Sequence, residues 1–448
     1  MNRNLNRSQV SMRASLAAGL LAGGVFGVAA PAYSGAYQLT ALTTDDNANL
    51  TSLGFPAAAN VDPNLVNPWG ISFGPTTPFW VSDNATGVST LYSAGGVPFP
   101  AGTPLVVTIA PPNGSPPGFT SAPTGQVFNN NANDFIVSNG TTSGSANFIF
   151  ATEDGTISGR SGAVSATQSF IGVDNSPSGA VYKGLAIATI GGNNFLFAAN
   201  FNSGKVEEYN SSFGFVRSFT DPNPPQVPAG TPPGQNWAPF NVQQVNGQLY
   251  VTFALQDAAK HDDVAGPGNG FVDVFDLNGN FVKRLIDIGA SDPLNSPWGI
   301  TTAPGGFGAF ANDLLVGNFG DGEIHAFDPI SGAFLGTLSA SSGNPIEIPG
   351  LWDITFGNGG AGVDPNAIYF TAGLPEAAMP DVLEKAGLFG ALSVVPSAVP
   401  EPGSLALLAT GLAGLMWFKR RRGGAPHRPK EEARVGVIEQ SRMPSAAR

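Results

Sequence analysis

Three features of the 448-residue chain predict an all-β fold, a six-bladed β-propeller with four antiparallel strands per blade. A short motif recurs every 54 to 59 residues. Each recurrence is followed by further short apolar runs separated by Gly, Pro and Asn turns, the pattern of a radially repeated sheet. The last repeat ends before its fourth strand, and a matching strand stands ahead of the first repeat.

The motif is clearest as Pro68-Trp69-Gly70-Ile71 and Pro297-Trp298-Gly299-Ile300, with related starts at Pro123-Thr124-Gly125-Gln126, Tyr182-Lys183-Gly184-Leu185 and Leu351-Trp352-Asp353-Ile354. Pro239-Phe240-Asn241-Val242 is a weaker sixth. Second strands are expected at 79–82, 134–138, 195–199, 248–252, 313–316 and 367–371. Third strands are expected at 89–92, 146–150, 205–209, 270–275, 323–327 and 387–392. A fourth is visible in several units, at 104–108, 215–219, 281–285 and 334–338. Residues 37–43 share the apolar alternation, and pairing them with 387–392 closes the ring and hides two sheet edges that would otherwise invite association. A pair of β-sandwiches is the competing all-β arrangement.

Gly (59) and Pro (38) are abundant, but frequent Phe and short Val/Ile/Phe runs between them fit turns between strands rather than disorder. The absence of cysteine excludes disulfides, thiolate metal sites and a cysteine nucleophile. The net charge of −12 is unevenly spread: residues 1–32 hold three Arg and no acid, and residues 399–448 hold nine basic and four acidic side chains. The stretch between keeps 8 basic and 28 acidic side chains, a balance that phosphate backbones and anionic headgroups repel. Nucleic acid is therefore excluded as a partner, whereas divalent cations and neutral polymers fit.

Both ends read as targeting signals. Arg3, Arg7 and Arg13 precede an uncharged apolar run at 14–28 and then Ala29-Ala30-Pro31-Ala32. This order predicts a signal peptide over 1–32, with Ala30 and Ala32 forming the Ala-x-Ala cleavage site. Near the other end, Pro400-Glu401-Pro402 is followed by an apolar run at 404–418 and the cluster Lys419, Arg420, Arg421 and Arg422. The run is shorter than the roughly 20 residues that span a bilayer comfortably, and the basic cluster places its own end in the cytoplasm. An ordinary single-span anchor is the alternative. Polar residues 423–448 follow and are expected to be a disordered tail.

The order of Pro-Glu-Pro, apolar helix and Arg cluster over 397–422 resembles the PEP-CTERM sorting signal of Gram-negative bacteria. The resemblance implies an exosortase-type membrane protease that recognises Pro400, Glu401 and Pro402 and removes the tail, with transient membrane contact through the C-terminal helix. It further implies delivery to the cell surface, outer membrane or extracellular matrix of a bacterium that makes exopolysaccharide. The body, residues 37–396, resembles NHL-type six-bladed propellers, and more closely the propeller bodies of exported PEP-CTERM proteins. That second resemblance implies architecture and no activity.

In a propeller the first strands begin and the second strands end at one mouth of the channel. Trp69, Trp298 and Trp352 are therefore expected near Asp83, Asn84, Asn139, Asn200, Asp257 and Asn318, the residues placed just after the second strands. Convergent side-chain oxygens could hold Ca²⁺ or bind sugar hydroxyls over a Trp face. Asn and Asp also favour turns for local reasons, which is the structural alternative. Blade four carries a long insertion, 257–269, with three aspartates and a histidine within seven residues. Asp257, His261 and Asp263 are candidate metal ligands, and His261 with Asp262 a candidate general-base pair. An acidic solvated loop is the alternative reading. His325 reads as a packing residue, and none of the common hydrolase, zincin, dinucleotide or P-loop motifs occurs.

These observations predict an exported propeller that acts as a binding or interaction module for polysaccharide or surface proteins, with a bound cation such as Ca²⁺. The alternative is a metal-dependent hydrolase or lyase of the lactonase type, with its site at the channel mouth.

Overall fold

The computed structural model describes residues 35–288, 293–360 and 362–396. The chain divides into two compact units, Met1–Pro396 and Ser397–Arg448, and the described residues all belong to the first. The signal peptide with Ala30 and Ala32, the Pro-Glu-Pro segment, the apolar helix, the Arg cluster and the 423–448 tail lie outside the described residues.

Six antiparallel sheets are arranged as a propeller, and the described residues contain one short α-helix, Asn47–Ser52. The innermost strands are Pro68–Ser72, Pro123–Phe128, Tyr182–Ile190, Trp237–Val245, Pro297–Thr302 and Leu351–Phe356. Blade six is completed by the N-terminal strand Tyr37–Thr44, which pairs antiparallel with Ala386–Val394. Asn60–Val61 adds a short parallel strand outside it. Closure therefore joins the two ends of the repeat region as the alternation at 37–43 predicts, and Tyr37, Ala41 and Leu42 are buried by it.

Blade two departs from the predicted strand order. Residues 134–138 do not form its second strand; Ile136–Ser138 pairs with Ser143–Ser145 in an inserted hairpin. The second strand is Phe148–Thr152, which the sequence reading makes the third, and the third is Thr156–Arg160. Both candidate segments are short and apolar, and length and pattern alone do not separate them.

Each innermost strand carries a β-bulge within its first few residues, so the repeated motif is also a repeated distortion. A bulge re-aims a side chain. Here six equivalent side chains, Trp69, Thr124, Lys183, Phe240, Trp298 and Trp352, are each no more than 2 % exposed and occupy one level of the ring. Trp69 stacks on Trp352 at 3.4 Å, and Trp298 meets both edge-on at 6.0 and 5.9 Å. With Phe240 5.8 Å from Trp352, these rings form an aromatic floor at this level of the channel.

The next residue in each motif is Gly in four blades, because neighbouring innermost strands approach there. A Cβ on Gly125 would run into the Leu185 amide nitrogen, and one on Gly299 would lie 2.7 Å from the Trp352 carbonyl oxygen. Gly125→Ala is expected to cost about 1–3 kcal/mol through overpacking, measured as a lowered midpoint in urea unfolding.

Blade six places Asp353 at that position, where its Oδ2 accepts the Ile71 amide at 2.7 Å. Desolvation pushes this carboxyl up to about 7, against the backbone hydrogen bonds from Ile71 and Ile354. The native state therefore holds more protons than the unfolded chain between about pH 4 and 7, and stability falls as pH rises through that window. Buried His325, pushed down to about 4, has the opposite slope below its ordinary value of 6.5. Comparison with Asp353→Asn cancels the His325 contribution, so the variant should lose less stability than the parent between pH 5 and 7.5 in thermal scans.

Candidate functional site

Above the aromatic floor, side chains from five blades meet at the mouth. Blade two contributes Glu153, immediately after its second strand. Its backbone is fixed by the Glu153 amide donating to the Ala122 carbonyl, and the adjacent Asp154 Oδ2 accepts the Ala122 amide and the Ser121 hydroxyl. Blade three contributes Lys183, re-aimed into the channel by its bulge, with 2 % of its side chain exposed.

The blade-four insertion is folded by Asp257, whose Oδ1 accepts the backbone amides of His261 at 2.9 Å and Asp262 at 3.3 Å. Lys260 takes a left-handed conformation (φ 58°) to complete the turn. The loop thereby presents His261 and Asp262 to the channel. His261 Nδ1 lies 2.9 Å from Asp262 Oδ1, the same oxygen that lies 3.2 Å from Lys183 Nζ. Lys183 also pairs with Glu153 and stands over the Trp69 ring at 5.1 Å. Glu153 Oε2 accepts Asn84 at 2.8 Å; Asn84 Oδ1 accepts Asn67 at 3.2 Å, and Asn67 Oδ1 accepts the Trp352 indole at 3.0 Å. A continuous polar chain therefore runs from blade six to blade four.

Acid is in excess here. Burial favours a neutral Lys183, but Glu153 and Asp262 outweigh it and raise its pKa to about 12. The hydrogen bond to His261 outweighs burial and holds Asp262 well below the usual carboxylate range, with Lys183 adding to the effect. The same hydrogen bond raises His261. Glu384 of blade six, in a left-handed conformation (φ 68°), is pushed up to about 7 by desolvation and then by Glu153. Asp263 is pushed up to about 6, chiefly by desolvation.

One ligand atom each from Glu153, His261 and Asp262 lie within 4.8 Å of one another. Atoms bonded to one small divalent ion at about 2.0–2.2 Å can be up to about 4.4 Å apart, so a slight closing of the exposed His261 and Asp262 suffices. A set of one imidazole and two carboxylates suits Zn²⁺ or Mn²⁺ better than Ca²⁺, which prefers more oxygens. The candidate set Asp257, His261 and Asp263 does not converge in this way: Asp257 is occupied with the turn amides, and Asp263 is not part of the cluster.

The other rim candidates turn into their own surroundings. Asp83 accepts Thr90 of the neighbouring strand at 2.8 Å, Asn200 donates to Glu207 at 2.8 Å, and Asn318 donates to the Pro293 carbonyl at 2.8 Å. Asn139 lies in the inserted hairpin, where its Oδ1 caps the Thr141 and Thr142 amides, so Glu153 holds the rim place assigned to it. Trp69, Trp298 and Trp352 form the floor rather than an exposed stacking face. Beside the insertion, a groove of about 670 Å³ is lined by Asn202, Asp221, Trp237, Gln256 and Lys260 among others.

Comparison with known proteins gives the chain a family. Over 325 residues the chain is 33% identical to the uncharacterised protein R648 of Acanthamoeba polyphaga mimivirus, covering 71% of this chain and 74% of R648. The chain belongs to the R648 family. The mimivirus protein L690 is likewise 33% identical, over 66% of this chain and 74% of its own length. Residues 398–422 match the PEP-CTERM protein-sorting motif. This R648-family chain is thus marked for exosortase processing, export and sorting to the cell surface. Among solved structures, a glutaminyl cyclase from Myxococcus xanthus is similar at 15% identity and a TM-score of 0.32, over 62% of this chain and 97% of its own. A streptogramin B lyase is similar at 10% identity and 0.39, over 80% and 98%. Likeness at that level assigns no activity to the R648-family chain.

Proposed function

We propose that the propeller is a cation-dependent binding module displayed at the surface of a Gram-negative bacterium, with exopolysaccharide as its ligand. Export begins at the signal peptide, and the mature chain starts after Ala32. The observation that carries this reading is the meeting of Glu153, His261 and Asp262 at the mouth beside the 670 Å³ groove. A divalent ion there would neutralise part of the acid excess and offer open coordination positions to hydroxyl or carboxylate oxygens of a polymer, while the groove would receive neighbouring units. Co-sedimentation with the producer's own polysaccharide tests it. Binding should disappear on chelation and in Glu153→Gln and His261→Ala; binding indifferent to both would refute the cation's role.

A second reading, a metal-dependent hydrolase or lyase of the lactonase type, is favoured by Glu384. A carboxyl near pH 7 beside three candidate ligands has the pKa that a general acid or base needs. His261 paired with Asp262 offers a second candidate for that role. Metal-dependent turnover of lactones, lost in Glu384→Gln with polymer binding retained, would establish this reading over simple binding.

A further inference from the structure

Strand connections fall on two sides of the ring. Those leading into an innermost strand or out of a second strand lie at the mouth, and those leading out of an innermost or a third strand lie on the opposite face. Charge is divided unequally between them. Among the described residues the mouth connections carry sixteen Asp and Glu, against Lys260 and Lys385. The opposite connections carry four, Asp134, Asp313, Asp328 and Asp364, with no Lys or Arg, and Asp134 is buried. They consist largely of Gly, Pro, Ser, Thr, Asn and Ala. On them, or directly after them, Val97, Phe99, Phe215, Ile330 and Phe334 are 42–80 % exposed.

The chain also leaves the propeller on that side. Its last strand, Ala386–Val394, runs from the mouth to the opposite face, where the Val395 amide donates to the Ala36 carbonyl at 2.8 Å. Tyr37 holds this corner against the 303–313 connection of blade five, donating to the Phe307 carbonyl and stacking on Phe310 at 6.1 Å. Twist lays the outer strands across the rim, so Ala36 also bridges Ser339, just past the outer strand of blade five. The sorting motif begins at residue 398.

We propose that the face opposite the mouth is the membrane-facing surface of the propeller while the sorting segment is in place, and that the mouth opens away from the lipid. Reach decides against the reverse. The apolar run starts at Ser404, nine residues after Val395, and nine residues extend to about 30 Å at most. The nine-residue strand Ala386–Val394 is itself about 30 Å long. A chain doubling back to bring the mouth to the membrane would use the whole linker before it passed the mouth. Charge points the same way. Anionic headgroups repel the carboxylates of the mouth, whereas the opposite turns offer little charge and several exposed apolar side chains to the interface. The orientation does not depend on a cation, and it leaves Glu153, His261 and Asp262 open to the medium.

The chain has no cysteine, so nitroxide labels can be placed singly. Val97→Cys and Ile330→Cys report on the opposite face, and Ala259→Cys and Ala378→Cys on the mouth; all four positions are exposed. Each variant, carrying its sorting segment, is reconstituted with vesicles of phosphatidylethanolamine and phosphatidylglycerol that bear a nickel chelate on a fraction of the headgroups. Power-saturation EPR then reads how strongly the nickel relaxes each label. With the mouth labels about 30 Å further from the lipid, the labels on the opposite face should be relaxed at least about fivefold more strongly. Glu153→Gln and His261→Ala should leave that ratio unchanged, which separates the orientation from the cation reading. Equal relaxation at all four positions, stronger relaxation at the mouth, or a chain that does not float with the vesicles would each overturn the proposal.

Discussion

Replacing Lys183 by methionine is expected to cost about 3–5 kcal/mol of folding free energy, the penalty for removing one member of a buried ion pair. The side chain is almost wholly enclosed, with Glu153 only 12 % exposed beside it. Methionine fills similar space among Trp69, Phe201 and the floor aromatics, but Glu153 would then face Glu384 and Asp262 without the Lys183 charge. The loss should be partly recovered in the double variant with Glu153→Gln, because the uncompensated charge is then gone. Since Lys183 is raised to about 12, its own stabilisation is fully present below its unfolded value of 10.5 and is lost as pH rises from there to about 12. Lys183 also holds down Glu384, near 7, and Asp263, near 6, so their ionisation costs more in the variant and the deficit should grow between pH 6 and pH 9. Urea unfolding of the four proteins measures it, and a loss below about 1 kcal/mol would mean the pair is effectively solvated.

Deleting residues 37–44 should have a larger effect. That strand supplies the fourth strand of blade six through a ladder running from Tyr37–Val394 to Thr44–Leu388. Tyr37 packs on Phe307 at 4.7 Å and donates to its carbonyl oxygen at 3.1 Å, and Thr44 Oγ1 donates to the Gly387 carbonyl at 2.7 Å. Burial of Tyr37 and Leu42 alone is worth about 1.5–3 kcal/mol each, before the ladder is counted. The total approaches the 5–15 kcal/mol that holds most domains together. The truncated protein is expected to be insoluble or unfolded at 25 °C, with the bare edge of Ala386–Val394 promoting association. A soluble, cooperatively unfolding truncated protein would show that the ring does not depend on this closure.

The architecture is legible because it is written repeatedly. Six occurrences of one motif, and a fourth strand missing at one end but present at the other, overdetermine the ring. The site is less legible because it is built where the repeat is broken. Glu153 is obscured by the hairpin of blade two, whose residues 134–138 look as much like a strand as Phe148–Thr152 does. Lys183 carries a readable signal: a charged residue occupies a position held by Trp in three blades and by Phe or Thr in the other two. Glu384 carries none, since an acid in a loop becomes notable only when burial and neighbouring charge raise its pKa. The insertion is the legible part of the cluster: His261 belongs to both the expected and the observed grouping, while Asp262, rather than Asp257 or Asp263, lies with it beside Glu153. Spacing along a loop does not say which of Asp257, Asp262 and Asp263 folds it and which faces the channel.

The function proposed for this propeller depends on a cation at Glu153, His261 and Asp262. Metal analysis of the purified protein, followed by calorimetric titration of Zn²⁺, Mn²⁺ and Ca²⁺ into chelator-stripped protein, tests it. One equivalent should bind, Zn²⁺ or Mn²⁺ more tightly than Ca²⁺, with a raised melting temperature and with both effects lost in Glu153→Gln and His261→Ala. No bound metal, no effect of chelator on melting, or undiminished binding in those variants would contradict the account.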